Sequence, residues 1–346
     1  MGSYLGIQND GLLYAAPNEE EFIAKYQEKW KATMSDTYFQ SEQIDIGHKL
    51  RPRLVFWGYT SNSLILDDLV LDDVAQIAVC IELIHKASLL IDDYIDKDTT
   101  RHGKPAFYIT YGIERTIIYS LNLLSKSLEL LNSTYFHRLS INSFYFKSIN
   151  DITLTLQAMT LGVLRELDLN GKSIIDLTEI KTIMDLETSS LITNSLLMGY
   201  YLSNQQNDHI EATLKSVGQK LGYVFQILND MESFYSTTIS DHKGSANTDI
   251  DRARKNICIP VLASLLSLKD KKKLMKAVET YDASILYSLM EKYRVKDILE
   301  KEIYNVKEKI SNEIMSNRSY YSRERWGESF IKFIDSVLKV FLQRIV

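Results

Sequence analysis

The stretch IELIHKASLLIDDYIDKDTTRHGKP, residues 81–105, carries the strongest fold signal in this chain of 346 residues. It belongs to an apolar run over 70–95 with a period of about 3.6, the pattern of an α-helix. Three acids stand at the end of this run: Asp92, Asp93 and Asp96. Because Asp92 and Asp96 are one turn apart, we expect their carboxylates to share one face of the helix.

The rest of the chain also favours helices. It has only 4 prolines and 14 glycines, whereas average usage would give about 17 and about 24. Many strands joined by tight turns would need more of both residues. Helical periodicity returns over 113–131, 149–167, 177–202 and 210–234. We therefore predict about ten helices in one all-α domain spanning 1–346, with an N-terminal helical extension over 1–40 and a core from about 40 onward.

Charge and cysteine content exclude several classes of protein. The net charge is −5, which argues against a nucleic-acid partner. Cys80 and Cys258 are too far apart in sequence for a metal motif and fit a reducing compartment. The N-terminus lacks the basic region of a signal peptide, and the longest uncharged stretch, 188–207, is too polar to span a bilayer. We expect a cytoplasmic protein without stable membrane insertion.

The acids suggest a metal site. Carboxylates at the end of an apolar helix are costly unless a cation or ligand neutralises them, and Mg²⁺ binds a few carboxylates together with water and phosphate oxygens. A second helical segment, 221–237, also presents oxygen ligands. Each segment alone is more typical of a solvated helix face, so the residues by themselves leave both that interpretation and a Mg²⁺ site open. Its candidate ligands are Asp92, Asp96, Asn229, Asp230, Ser233 and Thr237.

Four segments resemble motifs of the trans-isoprenyl diphosphate synthases, in the same order and spacing. Residues 81–105 resemble the first aspartate-rich region, and GYVFQILND (222–230) resembles the second. IDIGHKLRPRL (44–54) resembles G-G-K-R-x-R-P, and TDIDRARKNICIPVL (248–262) resembles a late lysine–proline stretch. The resemblance implies a helical bundle around a deep apolar cavity. It also implies three Mg²⁺ ions, with Mn²⁺ as a substitute, a polyprenyl diphosphate substrate and a homodimer.

The resemblance also assigns roles to residues on the side that binds the allylic diphosphate. The acids Asp92, Asp93 and Asp96 match the metal-binding motif, so we expect them to be catalytic. An arginine and two lysines match residues that hold the diphosphate, and a glutamine lies within the second motif. In order, they are Arg101, Lys243, Lys255 and Gln226. This half of the site matches the family.

The half that binds isopentenyl diphosphate departs from the family pattern. Arg51 and His85 match two of its residues. His48 replaces a lysine and His102 replaces an arginine. An unperturbed histidine is mostly uncharged at neutral pH, so two cations are missing, for which Lys49 compensates only in part. We therefore expect this half to be non-functional.

A third departure lies in DLETSSLITNSLLMG, residues 185–199, which resembles a K-T-x-x-L motif followed by a glycine. Thr188 and Gly199 keep the register, but Glu187 stands in place of the lysine that contacts the diphosphate. We predict a catalytic role for Glu187: pairing with a cation, steering a carbocation or accepting a proton. The alternative is a displaced alignment in which Lys181 substitutes from another turn.

Small residues one turn before the acids bear on chain length. Ala87 and Ser88 stand where the family uses bulky aromatics to stop growth at short chains. Small side chains there imply a cavity open to a long prenyl chain and place both residues at the substrate. Ordinary close packing of helices explains them equally well.

The leading hypothesis from these departures is a class I terpene synthase, a carbon–oxygen lyase that ionises a C15–C25 diphosphate and cyclises the cation. The N-D-x-x-S order at 229–233 supports it, because it resembles the start of the second metal motif of terpene synthases. The alternatives are a chain-elongating synthase such as a geranylgeranyl diphosphate synthase, a prenyltransferase acting on an indole or peptide side chain, and a weakly active regulatory subunit.

Overall fold

The computed structural model describes residues 18–35, 49–101, 103–139, 143–170, 175–235, 255–280 and 282–345. Within these ranges the chain is helical apart from one small antiparallel hairpin, β1 (Thr100–Arg101) and β2 (Lys104–Pro105). The all-α prediction is confirmed. The division into one domain and the depth of a central cavity remain predictions.

The α-helices are α1 (Glu19–Ser35), α2 (Leu50–Ser61), α3 (Asp68–Ile95), α4 (Phe107–Tyr111), α5 (Ile113–Leu139), α6 (Ser143–Leu167), α7 (Leu177–Met184), α8 (Ser190–Leu202), α9 (Asp208–Tyr235), α10 (Cys258–Leu265), α11 (Leu268–Thr280), α12 (Ala283–Lys292), α13 (Val295–Ser316) and α14 (Trp326–Leu342). A π-helical turn, Asp185–Ser189, joins α7 to α8, and a short 3₁₀ turn, Arg318–Tyr320, precedes α14. The described residues thus contain more helices than the sequence predicted, because short helices such as α4 carry too little periodicity to detect.

Helix α3 begins with an N-cap, because the side chain of Asp67 accepts a hydrogen bond from the backbone N–H of Val70 at 2.9 Å. It packs against α1, α2 and α5. Its last residue is Ile95, and Asp96 is the C-cap, which agrees with the predicted end at 95. The fold therefore places the acidic segment at the end of a central helix.

Helix α3 is also the one helix in the described part of the chain that is long and apolar enough to cross a membrane. Within the fold, 72% of its most apolar window is buried against other helices. Burial on this scale is typical of a core helix, whose apolar side chains face protein on all sides. The sequence analysis examined 188–207 instead, because that segment is uncharged.

Two glycines allow α2 and α8 to approach each other closely. A Cβ at Gly58 would lie 1.9 Å from the carbonyl oxygen of Leu196, and one at Gly199 would lie 1.8 Å from that of Val55. Any larger residue would force the two backbones apart. The α2–α8 contact in turn fixes the position of the π-turn that precedes α8.

Helix α1 (Glu19–Ser35) lies within the segment predicted to form an N-terminal helical extension. A buried ion pair joins it to α2, with Arg53 Nε 2.7 Å from Glu19 Oε1. The same guanidinium lies 4.6 Å above the ring of Phe333 in α14. Arg53 therefore ties α1, α2 and α14 together.

Candidate active site

Asp92 and Asp96 form the acidic end of α3. The carboxyl of Asp92 is largely buried, and this burial, followed by repulsion from Asp96, raises its pKa to about 7. Arg101 opposes the rise and Glu166 adds to it. Negative charge is therefore poorly compensated at this position, and a cation between the two carboxylates would relieve it.

Asp93 makes different contacts from Asp92 and Asp96. Its side chain is buried, and the Nε of Arg101 donates to both of its oxygens at 2.8 and 2.9 Å. Arg101 lies in β1, directly after the turn that follows α3. Burial alone would lower the pKa of Arg101, but the bonds to Asp93 raise it. These contacts favour a positioning role for Asp93 over the direct catalytic role predicted from the motif.

Glu187 lies in the π-turn between α7 and α8. One of its carboxylate oxygens, Oε1, is buried and has no hydrogen-bond partner among the described residues. Burial, and then repulsion from Glu166, Asp92 and Asp96, raises its pKa to about 9, while Lys255 acts in the opposite direction. Burial and the neighbouring acids therefore favour the protonated form of Glu187. Single-turn π segments occur frequently at functional sites.

Glu166 is an acid of this site that the sequence analysis missed. It lies near the end of α6, and its Oε1 is 3.2 Å from Nζ of Lys255. Its proximity to both Asp92 and Glu187 places it in the same acidic group. The available signal was an acid inside an apolar helical run. Lys255, predicted to bind the diphosphate, is thus held by Glu166 in the ligand-free protein.

The position of the exposed Lys181 bears on the alignment of residues 185–199 with the K-T-x-x-L motif. Its Nζ lies 5.3 Å from the ring centroid of Tyr223, whereas Glu187 lies among the acids. The alternative in which Lys181 replaces Glu187 from another turn is therefore not favoured.

On α9, Asn229 and Ser233 are exposed and one turn apart. The hydroxyl of Ser233 donates to the carbonyl of Asn229 at 3.4 Å, a weak bond that leaves the amide side chain free for a ligand. Two further candidates, Thr237 and Lys243, lie outside the described residues.

Asp230 is buried, and both of its carboxylate oxygens are already engaged. Gln226 Nε2 donates to one at 2.8 Å, and the backbone N–H of Ile257 donates to the other at 2.8 Å. Thr188 in turn donates to the Gln226 carbonyl oxygen at 2.8 Å. This chain links the π-turn, α9 and the start of α10. It favours positioning roles for Asp230 and Gln226, in place of the predicted metal-ligand and substrate-binding roles.

Arg51 and His85 form a half-buried pair between α2 and α3, with Nη1 of Arg51 3.0 Å from Nε2 of His85. Burial, followed by repulsion from Arg51, lowers the pKa of His85 well below its usual value, so its ring is neutral. The Nε of Arg51 is buried and finds no hydrogen-bond partner in the part of the chain that the structure describes. An arginine with a free donor is suited to an anionic group. His48 and His102 lie outside the described residues.

Ala87 and Ser88 occupy different environments. Ala87 is fully buried, and its carbonyl accepts a hydrogen bond from Ser120 of α5 at 2.8 Å. Ser88 is half-buried and donates to the carbonyl of His85 at 2.9 Å. For Ala87, these contacts favour close packing of α3 against α5.

The acids fit a divalent cation by their chemistry, although in the described residues no three His, Cys, Asp or Glu side chains are already close enough to hold one. Asp92 and Asp96 supply hard oxygen ligands at one point, and their mutual repulsion shows a shortage of positive charge. The oxygens of Asn229 and Ser233 extend this donor set.

Comparison with known proteins identifies the family. The sequence profile of the polyprenyl synthetases matches residues 29–291, well over half of the chain. The chain belongs to the polyprenyl synthetase family.

Two relatives of this chain come from Saccharolobus solfataricus. A hexaprenyl pyrophosphate synthase is 27% identical over 169 residues, which cover 49% of this chain and 54% of the relative. A geranylgeranyl diphosphate synthase is 26% identical over 242 residues, covering 68% of this chain and 69% of the relative. The chain therefore spans about half the length of the first relative and two thirds of the second.

Solved structures share the fold of this chain. A polyprenyl synthase from Caulobacter crescentus CB15, complexed with calcium and isoprenyl diphosphate, has a TM-score of 0.77 at 16% identity, covering 94% of this chain and 96% of that chain. A geranylgeranyl pyrophosphate synthetase from Pyrococcus horikoshii Ot3 has a TM-score of 0.71 at 22% identity, covering 94% and 99%.

These findings change the order of the functional hypotheses. The relatives named above are chain-elongating prenyl diphosphate synthases, and the comparisons do not support a terpene cyclase or lyase. They favour the alternative that the sequence analysis placed second. The cyclase hypothesis rested on His48, His102 and Glu187, which stand in place of cationic residues of the family motifs.

Proposed function

We propose that this protein is a Mg²⁺-dependent prenyltransferase that elongates a linear allylic diphosphate with isopentenyl diphosphate. One observation carries the proposal: α3 has two positions that suit the binding of a diphosphate, one at His85 and one at Asp92. His85, paired with Arg51, lies two helical turns before Asp92 on the same helix. Seven residues of α-helix correspond to about 10 Å. This separation suits two diphosphate substrates that react at their prenyl ends.

The allylic diphosphate binds at the acidic end of α3. Asp92 and Asp96, with Asn229 and Ser233 on α9, would hold Mg²⁺, which stabilises negative charge on the departing diphosphate. Arg101 is pre-oriented by its bonds to Asp93, so little side-chain entropy is lost when it binds a phosphate oxygen.

On the acceptor side, Arg51 offers its free Nε to the diphosphate of isopentenyl diphosphate. The neutral His85 ring accepts from the other end of the guanidinium and fixes its orientation. With His48 and His102 in place of two cations, we propose weak binding of this substrate rather than none. A high KM for isopentenyl diphosphate is the expected consequence.

A second candidate is transfer of the prenyl group to an uncharged acceptor such as an indole or a peptide side chain. Glu187 favours it, because a protonated carboxyl stands where a diphosphate-binding lysine is expected. The allylic C–O bond would break and a bond to the acceptor would form. The acceptor's proton would leave to a base, for which the carboxylate of Glu166 lies close by.

The test is product analysis with Mg²⁺, C10 to C25 allylic diphosphates and radiolabelled isopentenyl diphosphate. Elongation places the label in a longer diphosphate, which becomes soluble in hexane only after phosphatase treatment. A labelled product from allylic diphosphate and an indole or peptide, with no use of isopentenyl diphosphate, supports the second candidate. A hydrocarbon released without phosphatase would contradict both and revive the cyclase hypothesis.

We further propose a cytoplasmic homodimer. Exposed apolar residues on α5 and α6 support a self-association face: Ile118, Leu121, Phe146, Leu154 and Leu164. The cytoplasmic location is supported by Cys80 and Cys258, which are both free and buried. Light scattering after size exclusion should give twice the chain mass, and Ile118→Lys with Leu164→Lys should give the monomer.

A further inference from the structure

Helix α11 carries a concentrated basic surface in an otherwise acidic protein. The run LKDKKKLMK, residues 268–276, holds five lysines and a single acid, whereas the whole chain has a net charge of −5. All five lysines are exposed. We call the exposed face formed by Leu268, Lys269, Lys271, Lys272, Met275 and Lys276 the basic face of α11.

The single acid of the run does not neutralise this face. Asp270 is buried, and its carboxylate accepts hydrogen bonds from Lys292 and from the hydroxyl of Tyr293. It is also 3.4 Å from Nζ of Lys273, so that lysine is partly compensated. In the part of the chain that the structure describes, Lys269, Lys271 and Lys272 have no ion pair.

Other acids lie only at the far end of the helix. Glu279 is exposed in the last turn of α11. Asp282 accepts from the backbone N–H of Ile285 as the N-cap of α12, and the positive charge of Lys276 helps to lower its pKa. The first two turns therefore carry the uncompensated positive charge.

Apolar side chains lie among these lysines. Leu268 is 84% exposed, and Met275, two turns further on, is 43% exposed. Residues 268, 272 and 275 share one helix face, opposite the buried Asp270 and Ala277. Exposure of the Leu268 side chain to water is unfavourable, and this side chain lies among the lysines of the basic face. It is placed to enter an apolar layer while the lysines remain at the polar boundary.

We propose that the basic face of α11 docks the protein peripherally on an anionic lipid bilayer. Charge complementarity identifies the occupant, because clustered lysines are attracted to anionic headgroups. The exposed leucine favours a bilayer over a nucleic acid, since a phosphate backbone offers nothing to an apolar side chain. This surface is separate from the acids at the end of α3, and the inference does not depend on the proposed reaction.

The test is co-sedimentation of the full chain with vesicles of phosphatidylcholine alone or with about 30% phosphatidylserine. Wild type should bind the anionic vesicles at about 0.1 M salt and dissociate at about 0.5 M, because salt screens surface charge. Lys269→Glu, Lys271→Glu and Lys272→Glu together should weaken binding by on the order of 100-fold, since each lysine contributes about fivefold. Leu268→Ser should weaken binding to the anionic vesicles at about 0.1 M salt, because it removes the apolar contribution.

The matched control is Lys31→Glu, Lys301→Glu and Lys309→Glu, which makes the same change in net charge at exposed lysines on α1 and α13. Far-ultraviolet circular dichroism checks that both triple variants fold. The control should bind anionic vesicles like wild type. Three results would overturn the proposal: equal loss in both triple variants, equal binding to neutral vesicles, or lysine-dependent binding to single-stranded RNA without vesicle binding.

Discussion

Glu187 fills the space that Gly162 leaves open on the neighbouring helix: a Cβ at position 162 would lie 2.5 Å from Cγ of Glu187. The glycine of α6 thus makes room for an acid in the π-turn. The same acid has one buried oxygen without a partner. Since its surroundings are acidic, the side chain is accommodated only in its protonated form.

We predict that Glu187→Gln removes part of the pH dependence of stability. The pKa of Glu187 is about 9 in the folded protein, against about 4.3 when unfolded. Between these values the folded state holds a proton that the unfolded state releases, so stability falls as pH rises. In metal-free protein, the variant should gain at least about 1.4 kcal/mol on wild type between about pH 5 and pH 8. Thermal melts at both pH values measure this.

The control for that experiment is Glu179→Gln, a partly exposed acid on α7 that pairs with Arg165 at 3.6 Å. It should change stability little at either pH. If Glu187→Gln and Glu179→Gln leave the same pH slope as wild type, Glu187 is solvated and the role assigned to it is wrong.

Neighbouring aspartates should respond in opposite directions to the same substitution. Asp92→Asn removes a buried carboxyl repelled by Asp96, so the metal-free protein should become more stable by about 1 kcal/mol. Asp93→Asn breaks the pair with Arg101, whose side chain is 28% exposed, and should cost about 2–3 kcal/mol. Urea unfolding in EDTA compares the two. Destabilisation by both would show that the end of α3 carries no unrelieved negative charge.

Metal binding should be visible without turnover. We expect Mg²⁺ with inorganic diphosphate to stabilise wild type by about 2–3 kcal/mol at saturating concentration, and EDTA to reverse this. Asp92→Asn and Asn229→Ala should abolish the stabilisation. Asn305→Ala, on the exposed face of α13, should retain it. Thermal unfolding with each addition is the measurement, and full stabilisation of Asp92→Asn would remove that residue from the metal site.

At the acceptor site, we predict a substitution that strengthens the binding of isopentenyl diphosphate. Restoring cations with His48→Lys and His102→Arg should lower the KM for isopentenyl diphosphate by on the order of 100-fold, because each charge-assisted contact contributes roughly 1.5–3 kcal/mol. The KM for the allylic substrate should stay within about threefold of wild type. Steady-state kinetics with each substrate varied separates the two. An unchanged KM for isopentenyl diphosphate would show that these positions do not contact it.

The sequence predicted the end of α3, the shared face of Asp92 and Asp96, and the helical class, because these depend on local periodicity. It did not predict that the 177–202 helix contains a π-turn, since the extra residue is accommodated by packing of Glu187 against Gly162. That contact joins two helices remote in sequence.

The roles of Asp93 and Asp230 could not be predicted from the sequence either, because they depend on contacts with residues elsewhere in the chain. A motif of consecutive acids cannot show that Asp93 turns toward Arg101 while Asp92 does not. It also cannot show that the carboxylate of the buried Asp230 accepts hydrogen bonds from Gln226 and from the backbone N–H of Ile257. Side chains one residue apart on a helix point about 100° away from each other, so tertiary neighbours decide what each one does.

The most direct test of the central claim is transfer of radiolabel from isopentenyl diphosphate to a longer prenyl diphosphate, with Mg²⁺ and an allylic diphosphate present. We predict that wild type incorporates the label and that Asp92→Asn reduces turnover at least about 100-fold, a loss of about 2.7 kcal/mol in transition-state stabilisation. Absence of label from every product of folded wild type, across C10 to C25 donors and at millimolar isopentenyl diphosphate, would contradict the account.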